Sequence, residues 1–180
     1  MVDFALAKGS PAGAAVAHRD VVQSLSFSPD GQPLASGGYR VAKLWRRDQA
    51  SANKLLNLLP RGETVTAIGV ALGQARVVAA GLAGSVQAID LQSTLPLWHA
   101  QIQGQAAGQL ALSPNGEKVA VLFDDGRVRT WETATGERAT RESSPLDARA
   151  VALLNYRQLV SAHPDGVIRA WAVILSLIHI

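Results

Sequence analysis

Few side chains in this 180-residue chain have the types and spacing that chemistry needs. Four histidines stand at 18, 99, 163 and 179, and no two lie at the spacing of a metal-ligand pair. Asp124-Asp125-Gly126 could serve as a carboxylate pair for a hard cation, but Asp-Gly between apolar runs is first of all a hairpin turn. Gly37-Gly38 and Gly81 precede no helical pattern, so they read as turn glycines rather than a phosphate-binding loop. The serines fall in strand or turn segments, and none joins a His and an Asp as a nucleophilic set. There is no cysteine, which excludes disulfides, cysteine-ligated zinc, thiol nucleophiles and covalently attached haem within this chain. The expectation is no active site, no metal and no cofactor.

The elements that carry these residues repeat. Phe4, Trp45, Ile89, Trp131 and Trp171 recur at steps of 41, 44, 42 and 40 residues. A bulky apolar anchor at that period marks one supersecondary unit, too small to bury its own faces, stacked on copies of itself. Short apolar runs alternate with turns inside each unit. Val21 to Phe27 stops at Ser28-Pro29-Asp30-Gly31, where Pro fixes φ and Gly supplies the left-handed position. Leu34-Ala35 opens a second run ending at Gly37-Gly38, Val41 to Trp45 a third, and Leu55 to Leu59 a fourth. The cycle returns at Val65, Leu110 and Val151, with Ser113-Pro114-Asn115-Gly116 as a second copy of the first turn and Thr133 to Glu137 as a polar turn. Four short antiparallel strands per unit make the fold all-β.

Hydrophobic residues are 48% of the chain and charged residues 17%, which fits a packed chain and not a disordered one. The net charge is only +3 and no Lys/Arg run occurs, so nucleic acid is not an expected partner. No apolar stretch reaches the roughly 18 residues a bilayer span needs, so no membrane insertion is expected. The sequence leaves cytoplasm and periplasm equally open.

His18, Phe27-Ser28-Pro29-Asp30-Gly31, Leu34-Ala35-Ser36-Gly37-Gly38 and Lys43-Leu44-Trp45 resemble a WD repeat, and the resemblance extends over about residues 4 to 173. It implies a β-propeller, in which each repeat forms a four-stranded blade and blades pack around a channel. It also implies a structural hydrogen-bond chain in each blade: a His in the turn before it, a Ser or Thr on its second strand, an Asp in the next hairpin and the Trp indole. Such a chain is worthwhile only when every member finds a partner. The first unit offers His18, Ser36 and Trp45, with Tyr39-Arg40 in a shortened hairpin where the Asp belongs. The third offers Asp125 and Trp131, and the fourth Ser161, Asp165 and Trp171. The second is degenerate, with Ile89 in place of Trp. Its Leu97-Trp98 resembles the blades of quinoprotein enzymes, whose tryptophans dock neighbouring blades.

Four units are fewer than the seven the resemblance implies, so the expected architecture is a partial β-propeller, an open arc. Residues 1–17 read as the remnant of a preceding blade with its outer strand, and 18–62, 63–103 and 104–145 as three blades. Residues 146–174 read as an incomplete fourth blade. The last six residues, 175–180, resemble a translated library adaptor and are read as a non-native tail. The function this implies is a non-catalytic scaffold for protein–protein interaction. Arg19, Tyr39 and Arg40, in loops at the blade edge, are the expected partner-binding residues. The alternative is the propeller portion of a larger bacterial redox protein, cytochrome-c-associated or quinoprotein-like.

Overall fold

A computed structural model describes residues 4–5, 10–11, 18–28, 33–46, 52–56, 59, 62–71, 73, 75–138, 147–155 and 157–173. Every named element is a strand. A small pair, β1 (Phe4–Ala5) and β2 (Ser10–Pro11), precedes four antiparallel sheets. The first sheet holds β3 (Val22–Phe27), β4 (Pro33–Gly38), β5 (Ala42–Arg46) and β6 (Ala52–Leu56). The second holds β7 (Val65–Ala71), β8 (Arg76–Gly81), β9 (Ser85–Asp90) and β10 (Pro96–Gln101). Three strands describe the third, β11 (Ala107–Leu112), β12 (Lys118–Phe123) and β13 (Val128–Glu132). Three also describe the fourth, β14 (Ala150–Leu153), β15 (Gln158–Ala162) and β16 (Ile168–Ala172).

Strands pair in chain order within each sheet, as expected where tight hairpins join antiparallel neighbours. The first strand of each of the first three sheets carries a register shift at the same place, at Val22/Ser24, Val65/Ala67 and Ala107/Gln109. A bulge that returns with the period adds the same twist to each sheet. The Ser28-Pro29-Asp30-Gly31 turn, apart from Ser28, lies outside the described residues, as does the tail 175–180. The Ser113–Gly116 turn shows the chemistry of its type. Gly116 takes φ 71°, its N–H donates to Ser113 O at 2.8 Å, and the Ser113 hydroxyl donates to Asn115 Oδ1 at 2.7 Å. One element departs from expectation. The fourth strand of the first sheet spans Ala52–Leu56, so Leu59 is beyond it and plugs the core beside Ala35 and Val65 instead.

Cross-strand partners share a face, so the pairing sorts each sheet into two faces. In the first sheet, Leu25, Phe27, Leu34, Ser36, Lys43 and Trp45 share what we call the leading face. Ala35, Gly37, Ala42 and Leu44 share the trailing face. The trailing face packs on Ile68, Val70, Val77, Ala79 and Ile89, the leading face of the second sheet. The trailing face of the second sheet, with Val78, Ala80, Val86 and Ala88, then meets Val119, Val121, Phe123 and Trp131. Ala120, Leu122 and Val128 of the third meet Val151, Leu153, Leu159 and Trp171 of the fourth. Ala35, Ala42, Ala80, Ala88 and Ala120 thus leave room for larger side chains of the next sheet. Three cores lie between sheets rather than within any one of them. Ile89 is buried as fully as Trp131, so the degenerate repeat still seats. The slot needs apolar volume, and burying such a side chain contributes about 1.5–3 kcal/mol whether or not it carries an indole.

Candidate interaction face

The hairpins joining second to third strands all lie at one end of the sheets, beside the turns that lead into each sheet. This end carries the singled-out polar residues. In the first sheet it is organised around Ser36. The Ser36 hydroxyl oxygen accepts the Trp45 indole N–H at 2.8 Å and lies 2.8 Å from Nε2 of His18. Ser36 is buried and the imidazole half-buried, so desolvation, and then the Lys43 charge, hold the His18 pKa below its ordinary 6.5. The Lys43 ammonium stands 5.7 Å from the centroid of the Trp45 ring. His18, Ser36 and Trp45 come together as the resemblance implied, and they pin the turn holding Arg19 and Asp20 to the sheet. The Asp20 carboxylate accepts the Val21 N–H at 2.7 Å, and Arg19 beside it is exposed.

Tyr39 and Arg40 are the two residues of the hairpin closed by the Gly38 N–H donating to Val41 O at 2.9 Å. Tyr39 is 51% exposed, and the Arg40 guanidinium sits 4.9 Å from the centroid of its ring. The stem of Arg40 runs past Gly62 closely enough that a Cβ there would meet its Cδ at 3.1 Å. Arg40 has φ 59°, in the left-handed region. The matching hairpins of the other three sheets put Gly84, Gly126 and Gly166 there, at φ 88°, 72° and 78°. A side chain in that conformation costs about 1–2 kcal/mol that glycine avoids.

The third and fourth sheets use this end differently. Asp125 accepts the Arg127 N–H at 2.9 Å and pairs with Arg129 at 2.8 Å. Burial alone would raise its pKa, but the Arg129 hydrogen bond, the Arg127 N–H and both charges outweigh it and carry it down. Asp165 repeats the arrangement on Arg169 and the Val167 N–H, and Arg169 first, then Val167, pulls its pKa to about 2. Both carboxylates therefore go to an arginine four residues on, not into a His–Ser–Trp chain. The fourth sheet nevertheless has such a chain. The Ser161 hydroxyl accepts the Trp171 indole N–H at 2.7 Å and lies 2.8 Å from Nε2 of His163. His163, at the hairpin after β15, is half-buried against Ser161, two residues before it. An imidazole at that spacing along a strand end reaches the same face.

Trp98 reaches a neighbouring sheet. From β10 it crosses to the third sheet, stacks on Trp131 at 6.3 Å between centroids and 23° between planes, and donates its indole N–H to Thr133 O at 3.0 Å. Phe123 closes the other side of Trp131, edge to face at 6.3 Å. Thr133 also receives Arg76 Nη1 from the second sheet at 3.3 Å. The polar turn after Trp131 is thus a clasp between two sheets. His99, beside Trp98, is exposed.

Among the described residues no three His, Asp or Glu side chains cluster as metal ligands, and no helix is long and apolar enough to cross a membrane. No curated protein matches the chain. Residues 10–46, which include the His18–Ser36–Trp45 chain, match the family model for the WD domain, G-beta repeat. Residues 10–46 are thus similar to a WD repeat, and the four stacked antiparallel sheets are arranged as in an open, partial β-propeller.

Proposed function

We propose that the chain is a non-catalytic scaffold that binds a protein partner through Arg19, Tyr39 and Arg40. The presence of a WD repeat supports an interaction role at the level of the family. The observation that carries the choice of surface is Arg40. The chain keeps a charged side chain in a left-handed conformation where its three sister hairpins use glycine. Strain retained at an exposed residue points to a use for its side chain. The guanidinium over the exposed Tyr39 ring forms a flat cationic plate, suited to a peptide segment that pairs a carboxylate with an apolar group. His18, Ser36 and Trp45 serve this surface as positioning residues. They hold the neighbouring turn rigid, so little ordering is left to be done on association.

Quantitative affinity capture tests the assignment, with the wild type, Tyr39→Ala/Arg40→Ala, and Leu82→Ala as an equally exposed control on the next hairpin. Proteins retained by the wild type and by Leu82→Ala but reduced about tenfold or more by the double variant are the expected result. Identical recoveries from all three would overturn it.

A further inference from the structure

We propose that Asn115 is a site of hydrolytic deamidation, held shut by the clasp between the second and third sheets and opened when that clasp lets go. Asn53, Asn57 and Asn155 precede Lys, Leu and Tyr, and Asn115 alone precedes glycine. The reaction begins with attack by the next residue's backbone nitrogen, and any side chain on that residue obstructs it. Once deprotonated, the Gly116 nitrogen adds to Cγ of Asn115, a new C–N bond forms, and the side-chain nitrogen leaves as ammonia. Water then opens the cyclic imide at one of its two carbonyls, giving aspartate or isoaspartate. The net change is water in and ammonia out, so no oxidant or reductant is needed. Asn115 is exposed on the turn between β11 and β12, where water reaches it.

The folded turn fixes both reacting groups. The Gly116 N–H is committed to Ser113 O at 2.8 Å, in a turn with Pro second and Gly fourth. Asn115 Oδ1 accepts the Ser113 hydroxyl at 2.7 Å and the Glu117 N–H at 3.3 Å, while Nδ2 donates to the Glu117 carboxylate at 2.7 Å. The Gly116 carbonyl in turn accepts the Thr133 hydroxyl at 2.6 Å. Thr133 is the buried residue that receives Arg76 Nη1 from the second sheet. Attack therefore waits for an opening that frees the nitrogen and the carboxamide together, and the native rate scales with the open fraction. Because Thr133 belongs to both turn and clasp, loosening the boundary between the sheets unlocks the turn. The two products differ in consequence. Aspartate keeps the backbone, and Ser28-Pro29-Asp30-Gly31 already carries it at the matching place. Isoaspartate inserts an extra backbone carbon before Gly116, which carries the Gly116 N–H away from Ser113 O and its carbonyl away from Thr133.

Peptide-mapping mass spectrometry of the full chain, incubated at mildly alkaline pH, tests this. In buffer the wild type should lose Asn115 at least about tenfold more slowly than in urea, where the turn is open. Thr133→Val, which keeps the volume and removes the hydroxyl, should bring the rate in buffer most of the way to the rate in urea, and leave the rate in urea unchanged. Circular dichroism checks folding. If Thr133→Val misfolds, Glu117→Ala takes its place: it alters an exposed side chain, frees Nδ2, and should speed the reaction in buffer alone. Equal wild-type rates in buffer and urea, or a folded variant that reacts in buffer no faster than the wild type, would overturn the proposal.

Discussion

The boundary between the second and third sheets and the outer face of the first sheet use the same repeat positions to opposite effect. At the boundary, Trp131 meets Trp98 and Phe123 in a cluster that also holds Ala80 of β8 and Ala88 of β9, and its turn is clasped by Arg76 and Trp98. On the outer face, Leu25 and Phe27 stand in solvent, at the places where Leu110 and Leu112 of the third sheet pack against the boundary. Position in the repeat therefore does not fix energy. The neighbouring sheet does, because a strand of this kind has no core until another sheet covers it.

The largest expected contrast comes from removing one side chain in each region. Trp131→Ala should destabilise the chain by about 3–5 kcal/mol, through lost burial and the cavity it leaves. Phe27→Ala should cost less than about 1 kcal/mol, as for surface changes in general. Urea unfolding followed by circular dichroism at a monomeric concentration measures both. Equal losses would mean that the outer face is covered within a single chain. A sharper contrast holds the backbone fixed. Gly136 and Gly104 have φ 72° and 70°, but a Cβ on Gly136 would press into Trp98 whereas one on Gly104 meets nothing within 4 Å. Each alanine carries about 1–2 kcal/mol of conformational strain. Gly136→Ala should cost more than that by the displacement of Trp98, and thermal unfolding of the two variants isolates the clasp.

A further effect concerns the polar chain of the first sheet. Ser36→Ala would leave the Trp45 N–H without its acceptor, a loss of about 1–3 kcal/mol. Because His18 is held below its ordinary pKa, the folded form takes up its proton at lower pH than the unfolded one. Stability from this group is therefore complete above about 6.5 and declines as pH falls through the lowered value. Unfolding between pH 8 and 5 should show that decline in the wild type and less of it in His18→Gln. An identical slope in both would remove His18 from the account.

Much of this was legible in the sequence because the period is long and its markers are local. Pro-Asp-Gly and Asp-Gly turns, apolar alternation and evenly spaced anchors specify hairpins without reference to the rest of the chain. Even the Ile89 repeat could be placed, since volume and not the indole fills the slot. What stayed hidden depends on geometry between elements. The partners of Trp98, Trp131 and Thr133, are set only when β10 lies beside the third sheet, and Thr133 becomes a clasp only when Arg76 reaches it as well. His163 does not stand where the resemblance puts the imidazole: His18 of the first sheet lies in the turn before its sheet, whereas His163 follows Ser161 by two residues at the end of β15. The left-handed Arg40 was hidden too, because a two-residue hairpin without glycine does not announce which residue takes the strained position.

The central claim is that stability lies between sheets and falls from the middle of the arc to its outer faces. Hydrogen exchange of individual amides in the full chain tests it most directly. The account predicts slowest exchange in β8 and β12, whose side chains are almost wholly buried, and faster exchange in β3 and β16. Protection of β3 and β16 equal to that of β8 and β12 would contradict it.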